Sequence, residues 1–226
     1  MSKKIKDSIA VVNFDNSSKT EKRAVAMFPN VIRASILGPS GCGKTNVLLT
    51  VLLHRQPLAD VFLFSKTIDQ QKYQFLAELI SSYNQRSSSK KRIQYKEITK
   101  VEDLPLPEKI PEHSIVIFDD ILTENQDKIA MYFMRGRHRK ISCFYLAQSF
   151  TKISKKSGIR ENFNYLILFK QDRVNLRQIF LEYRPGGLDF KEFEQLCHQC
   201  WADPYGFLTV DCELGEIKKN FEYLLK

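Results

Sequence analysis

Apolar residues along the chain gather into short continuous runs, separated by longer stretches in which they recur at helical spacing. The runs at 31–37 (VIRASIL), 60–66 (DVFLFSK), 114–120 (SIVIFDD), 141–148 (ISCFYLAQ) and 164–170 (NYLILFK) have strand length and little polar alternation. This is the signature of strands buried on both faces. Between them, 45–56 (TNVLLTVLLHRQ, closed by Pro57), 69–85 with Tyr73, Leu76, Leu79 and Ile80 on one face, 124–138 with Ile129, Tyr132 and Phe133, and 172–183 predict helices. Strands alternating with helices imply right-handed crossovers, hence an α/β fold with a mainly parallel central sheet and helices on both faces.

The remaining segments fit around that frame. RSSSKKR (86–92) and LPLPEKIPEH (104–113, three prolines) predict surface connections flanking a small strand, RIQYKEI. LDFKEFEQLCHQCW (188–201) predicts a helix, and 205–223 a terminal hairpin or edge strand turning near Gly215. Residues 1–28 are polar and mixed and predict a surface arm, leaving 29–226 as one domain. At 226 residues one core suffices.

Composition narrows the class. Apolar residues are 43% and charged residues 27%, a soluble globular balance. The longest apolar run, 47–53, is interrupted by Thr50 and falls well short of the roughly 18 residues a bilayer span needs; the amino terminus lacks a signal-peptide core. The reading is an intracellular protein, neither secreted nor inserted in a membrane. A net charge of +9 favours a polyanionic partner. Five cysteines, an odd number, suit a reducing compartment. Cys197 and Cys200 have zinc-ligand spacing, but no second pair does, so small buried thiols on a helix are the favoured reading.

Candidate chemistry sits in three places. GPSGCGKT (38–45) matches G-x-x-x-x-G-K-[ST] in full, between a predicted strand and a predicted helix. Gly38, Pro39, Ser40, Gly41, Cys42, Gly43, Lys44, Thr45 and Asn46 are the expected nucleotide-binding residues, with Lys44 reaching the β and γ phosphates and Thr45 ligating Mg²⁺. The strand at 115–120 ends in two acids: Asp119 is placed to hold Mg²⁺ and Asp120 to polarise the attacking water, with a helix N-cap or a solvated acid after the strand as the alternatives for Asp120. Gln148 closes the next buried strand, where its amide can contact both the γ phosphate and the water. Two basic clusters remain. Arg135, Arg137 and Arg139 precede the Gln148 strand and suit either a solvated face or an arginine acting on a neighbouring subunit. Lys152, Lys155, Lys156 and Arg160 follow it and suit DNA phosphates or an ordinary surface.

GPSGCGKT, IVIFDD (115–120), RGRHRKISCFYLAQSF (135–150) and DPYGFLTVD (203–211) together resemble the genome-packaging ATPases of the FtsK-HerA superfamily, found in poxvirus-like viruses and in the polinton, adintovirus and virophage group. The resemblance spans roughly 30–212. It implies a P-loop NTPase of the RecA-like (ASCE) type, with the Gln148 strand between the phosphate-loop strand and the Asp119 strand. It further implies a Mg²⁺-dependent ATPase in a homo-oligomeric ring, pentamer or hexamer. Such a ring drives double-stranded DNA through a viral capsid vertex, at assembly sites in host cytoplasm or nucleus, or in association with the virion. Two departures stand out: the acid pair is Asp-Asp, not the Asp-Glu of many cellular translocases, and no nuclease or DNA-guiding domain is recognised. A helicase or segregation translocase, and a nucleotide-dependent scaffold on DNA or capsid, are the alternatives.

Overall fold

The computed structural model describes residues 22–54, 59–87 and 92–225. Most of the predicted arm, Pro57 and the middle of the RSSSKKR connection lie outside the described residues. In chain order the main elements are β1 (Arg33–Leu37), α1 (Lys44–His54), β2 (Val61–Ser65), α2 (Gln71–Arg86), β3 (Tyr95–Ile98), β4 (Ile115–Asp119), α3 (Gln126–Arg135), β5 (Ser142–Ala147), β6 (Tyr165–Leu168), α4 (Arg173–Tyr183), α5 (Phe190–Trp201), β7 (Leu208–Asp211), β8 (Glu216–Lys219) and β9 (Glu222–Leu225).

One nine-stranded sheet runs in the order β3-β2-β4-β5-β1-β6-β7-β8-β9. The first six are mutually parallel and the last three join antiparallel. The predicted hairpin turns at Gly215 as expected, and a third strand, β9, follows it. Alternate side chains of each central strand enter two separate cores, as the pleat requires. Phe62, Phe64, Val116, Phe118, Cys143 and Tyr145 pack on one face with Ile129 and Phe133 of α3, Leu176 and Ile179 of α4 and Phe193 of α5. Val61, Leu63, Ile115, Ile117, Phe144 and Leu146 pack on the other with Val47, Leu48 and Val51 of α1 and Tyr73, Leu76 and Ile80 of α2. Two-sided burial is the reason these strands read as unbroken apolar runs.

Residues 22–28 are not a free arm. Arg23 forms an ion pair with the buried Asp211 of β7, and its second nitrogen reaches Glu213 at 3.1 Å. Phe28 is buried and meets Tyr165 edge-on at 5.7 Å between ring centroids and Phe221 at 5.6 Å. Phe221 then meets Phe207 at 5.2 Å, and Phe207 meets Phe169 at 5.3 Å. The domain therefore begins before residue 29. The composition of this stretch, one aromatic among charges and small or aliphatic residues, concealed a segment docked by the Phe28 ring, by Val25 and Met27 against the same core, and by Arg23 on two carboxylates.

The helix expected over 124–138 is shorter. α3 ends at Arg135, and Gly136–Arg139 form a 3₁₀ turn closed by Lys140, whose φ is +55°. Gly136 is buried against Ile141, and Ile141 N–H donates to its carbonyl, so the chain turns directly into β5.

Candidate nucleotide site

The site forms where β1, β4 and β5 end together. Register pairs Leu37 with Ala147 and Asp119 with Leu146, so the phosphate loop, the two acids and Gln148 leave the sheet at one edge. They line a single cleft of about 510 Å³ with Thr67 and Gln70 from the segment leading into α2 and Lys72 from its first turn. Ser40, Gly41, Gly43, Lys44 and Thr45 of the loop, Asp119 and Asp120 of the acidic strand and Gln148 are thus brought together.

Within the loop the glycines answer two different demands. A Cβ on Gly38 would lie 2.6 Å from both Cys42 Sγ and Phe169 Cβ, a clash that any other residue would have to relieve. Gly43 has φ +109°, a conformation open essentially to glycine alone. α1 begins at Lys44, so its unpaired N–H groups and positive dipole end face the cleft. Lys44 Nζ donates to the carbonyl oxygens of Gly38 (2.7 Å) and Pro39 (2.8 Å), which holds the ammonium over the loop.

Asp119 is only 8% exposed. Tyr73 on α2 donates its hydroxyl to Asp119 Oδ2 at 2.7 Å, and Thr45 adjoins the same hydroxyl. Burial pushes the Asp119 carboxyl above its ordinary range, while the Tyr73 bond and the charge of Lys44 pull it back. Among the described residues no Lys or Arg forms an ion pair with it. A buried carboxylate whose donors, Tyr73 and Gln70, are both neutral, with a threonine hydroxyl close by, is a donor set suited to a hard divalent cation. Asp120 is exposed and holds φ +54°. It does not cap a helix: Asn125 caps α3, accepting from Asp127 N–H at 2.9 Å. Gln148 is exposed, and its side chain makes no hydrogen bond among the described residues; only its carbonyl is used, by Gln171.

The basic run lies away from this cleft. α3 and the turn after it deliver Arg135, Arg137 and Arg139 to the start of β5, and six strand residues, spanning roughly 20 Å, separate them from Gln148 at its end. Arg135 pairs loosely with Glu108 (3.7 Å), and Arg139 donates to Ile110 O (3.1 Å) and nears Glu112 (3.7 Å). Arg137 is exposed, and its guanidinium forms no hydrogen bond or ion pair among the described residues; its carbonyl accepts from Lys140 N–H. It borders a second cleft together with Arg33.

The second cluster divides. Lys152, Lys155 and Lys156 are exposed on one loop, which Phe150 and Ile153 anchor in the core. Arg160 does not belong with them, a correction to the sequence reading. It is 5% exposed, and its guanidinium donates to Ile153 O and Thr151 O, pairs with Glu182 at 3.2 Å and lies over the Phe150 ring. It closes the loop from inside, with all three guanidinium nitrogens already engaged, and does not stand out to solvent as the lysines do. Cys197 and Cys200 face the core from α5, and burial pushes the Cys200 thiol up to about 11.

Tyr73 and the cleft residues of early α2 were missed from sequence. Tyr73 carries the helical periodicity of a core residue, and periodicity does not say that a buried phenol ends on a carboxylate.

A strand inserted between the phosphate-loop strand and the acid-bearing strand distinguishes the RecA-like class of P-loop NTPases, and β5 in that position places this chain in the class. The family follows from sequence: the model of the poxvirus A32 protein family matches residues 19–183, and the chain belongs to that family. Among solved structures, the genome packaging NTPase B204 from Sulfolobus turreted icosahedral virus 2 in complex with AMPPCP superposes with a TM-score of 0.58 at 13% identity, over 85% of this chain and 98% of that one. B204, the DNA-packaging ATPase from Sulfolobus turreted icosahedral virus, gives a TM-score of 0.57 at 16% identity, over 84% and 97%. At these identities the likeness is one of fold. No curated protein matches the chain significantly.

Proposed function

We propose that this chain is the ATP-hydrolysing motor subunit that drives viral double-stranded DNA into a preformed capsid. The observation that carries the proposal is the convergence of the phosphate loop, Asp119, Asp120 and Gln148 on one cleft, with β5 between the two motif-bearing strands. Family membership supports the task, and B204, described as a genome packaging NTPase, supports it by fold.

In this reading Gly38 to Asn46 cradle the phosphates through backbone N–H groups, and Lys44 transfers its hydrogen bonds from the loop carbonyls to phosphate oxygens. Thr45 and Asp119 would hold Mg²⁺, which when bound neutralises charge on the β and γ phosphates. Asp120 accepts a hydrogen bond from the attacking water and orients it. Gln148 accepts from the same water while donating to the γ phosphate. The side chains of the basic run stand at the far end of β5 from their own cleft, and that distance favours action on a neighbour's nucleotide, within a homo-oligomeric ring of five or six subunits at the capsid vertex. Of the three arginines, Arg137 is the one whose guanidinium is uncommitted among the described residues. Lys152, Lys155 and Lys156 are the candidate DNA contacts, made to phosphates and so independent of base sequence. No helix among the described residues is long and apolar enough to cross a membrane, which suits action at assembly sites in host cytoplasm or nucleus, or within the virion.

The test is ATP hydrolysis by the purified chain, with and without duplex DNA. Lys44→Ala and Asp119→Ala are expected to lower turnover by at least about 100-fold, and duplex DNA to stimulate the unaltered protein less as salt rises. Robust hydrolysis by the Lys44→Ala protein would overturn the reading.

A further inference from the structure

A phosphate loop binds phosphates whatever base they carry, and the cleft residues named so far all face the reacting end of a nucleotide. Asp119, Asp120 and Gln148 come from β4 and β5, on one side of β1. On the other side of β1 lie β6 and β7, and there two aromatic rings adjoin the loop. A Cβ built on Gly43 would stand 3.6 Å from the Phe169 ring and 3.8 Å from Cδ1 of Tyr205.

The two rings differ. Phe169 is 2% exposed and belongs to the aromatic chain that backs the loop. Tyr205 is 74% exposed, the most exposed of the large apolar side chains among the described residues. It occupies the third position of the turn 203–206, which Gly206 N–H closes onto Asp203 O at 3.0 Å. Its φ is +59°, where turns of this kind ordinarily place glycine or asparagine. A bulky residue in that conformation is a genuine outlier. Neither packing nor backbone preference accounts for a tyrosine here, since its ring is bare and its backbone is strained.

The order of strands supplies the direction. If the γ phosphate meets Gln148 and the acids on the β4–β5 side, the nucleoside end of the same ligand leaves the loop on the β6–β7 side, where the Tyr205 ring stands. We infer that Tyr205 is the stacking platform for the nucleobase. The subsite takes a planar heterocycle joined to a triphosphate, and it contributes affinity through ring-on-ring contact with no demand on the base's hydrogen-bonding edge. The inference rests on the phosphate-loop reading proposed above.

Titration of the full chain with ATPγS and, separately, with inorganic tripolyphosphate tests it, because the second ligand lacks a base. For Tyr205→Ala the dissociation constant of ATPγS is expected to rise roughly 5- to 150-fold, with that of tripolyphosphate unchanged. Tyr205→Phe, which keeps the ring, is expected to bind within about 2-fold of the unaltered protein. Tyr205→Gly relieves the backbone and is expected to lose ATPγS affinity like the alanine variant without a fall in melting temperature, which separates lost stacking from lost folding. Unchanged ATPγS affinity in Tyr205→Ala, or equal losses for both ligands, would overturn the inference. An unaltered protein that binds neither ligand would instead show that the phosphate-loop reading has failed, and this inference with it.

Discussion

The hydroxyl of Tyr73 donates a 2.7 Å hydrogen bond to Asp119, and both side chains are buried. Because Tyr73 lies on α2 and Asp119 at the end of β4, the bond ties the orientation of a candidate cation ligand to a helix outside the recognised motifs. Outer-sphere partners of this kind typically govern metal affinity or activity by about 10- to 100-fold. Tyr73→Phe keeps the ring in its core and removes only the hydroxyl. We expect the Mg²⁺ concentration for half-maximal hydrolysis to rise by that order, with nucleotide binding in EDTA unchanged. Titration of activity against Mg²⁺, beside nucleotide binding without metal, checks both parts.

Asp120 offers a clean separation of binding from chemistry. Its φ of +54° is one that asparagine accepts as readily as aspartate, so Asp120→Asn alters charge with little effect on the backbone. Loss of the base predicts a fall in turnover of about 10²- to 10⁴-fold with nucleotide affinity retained. A variant that hydrolyses ATP at the original rate would remove Asp120 from the chemistry and leave it as a solvated acid after the strand.

Arg137 and Lys44 belong, in the proposed ring, to opposite sides of a subunit boundary. Arg137→Ala is expected to lower turnover by about 10³-fold or more, as loss of such an arginine does in other nucleotide hydrolases. Mixed with the Lys44→Ala protein, it should recover measurable activity, since an intact loop then meets an intact arginine from its neighbour. Failure to recover, with mixed assemblies demonstrated by mass, would place the arginine's role within its own subunit or elsewhere.

The Arg23–Asp211 pair gives a prediction about acid. Burial by itself raises the Asp211 carboxyl, but the hydrogen bonds and charge of Arg23, the Leu214 N–H and Lys218 outweigh it and hold the group below its ordinary value. A carboxyl depressed in the folded state stabilises the fold above its unfolded value, near 4, and loses that contribution as pH falls through the lower folded value. Arg23→Ala is expected to cost about 2 kcal/mol near neutrality, and the deficit should shrink as pH falls below about 4. Urea unfolding of both proteins across that range measures it.

How much of this was legible beforehand depends on what kind of pattern each feature leaves. Strands buried on both faces and a glycine loop between strand and helix are local patterns, so β1, β4, β5 and the phosphate loop were readable at nearly their observed bounds. The order of strands, with Gln148 between the loop and Asp119, came from family resemblance, because parallel strands carry no local mark of their neighbours. Arg160 misled for a plainer reason. Its charge resembles that of the lysines beside it, and only the packing shows that its guanidinium is spent on Thr151, Ile153 and Glu182. Tyr205 was quoted within a motif yet had no role, since its meaning lies in a backbone angle and in the distance to a glycine some 160 positions earlier.

The rings from Phe28 through Phe221 and Phe207 to Phe169 end against Gly38. Both ends of the described chain are therefore part of the footing on which the phosphate loop stands. Trimming the protein to begin after Phe28, as its composition invites, would remove the first ring of that footing, and the loss would register as weaker nucleotide binding at a site three ring contacts away.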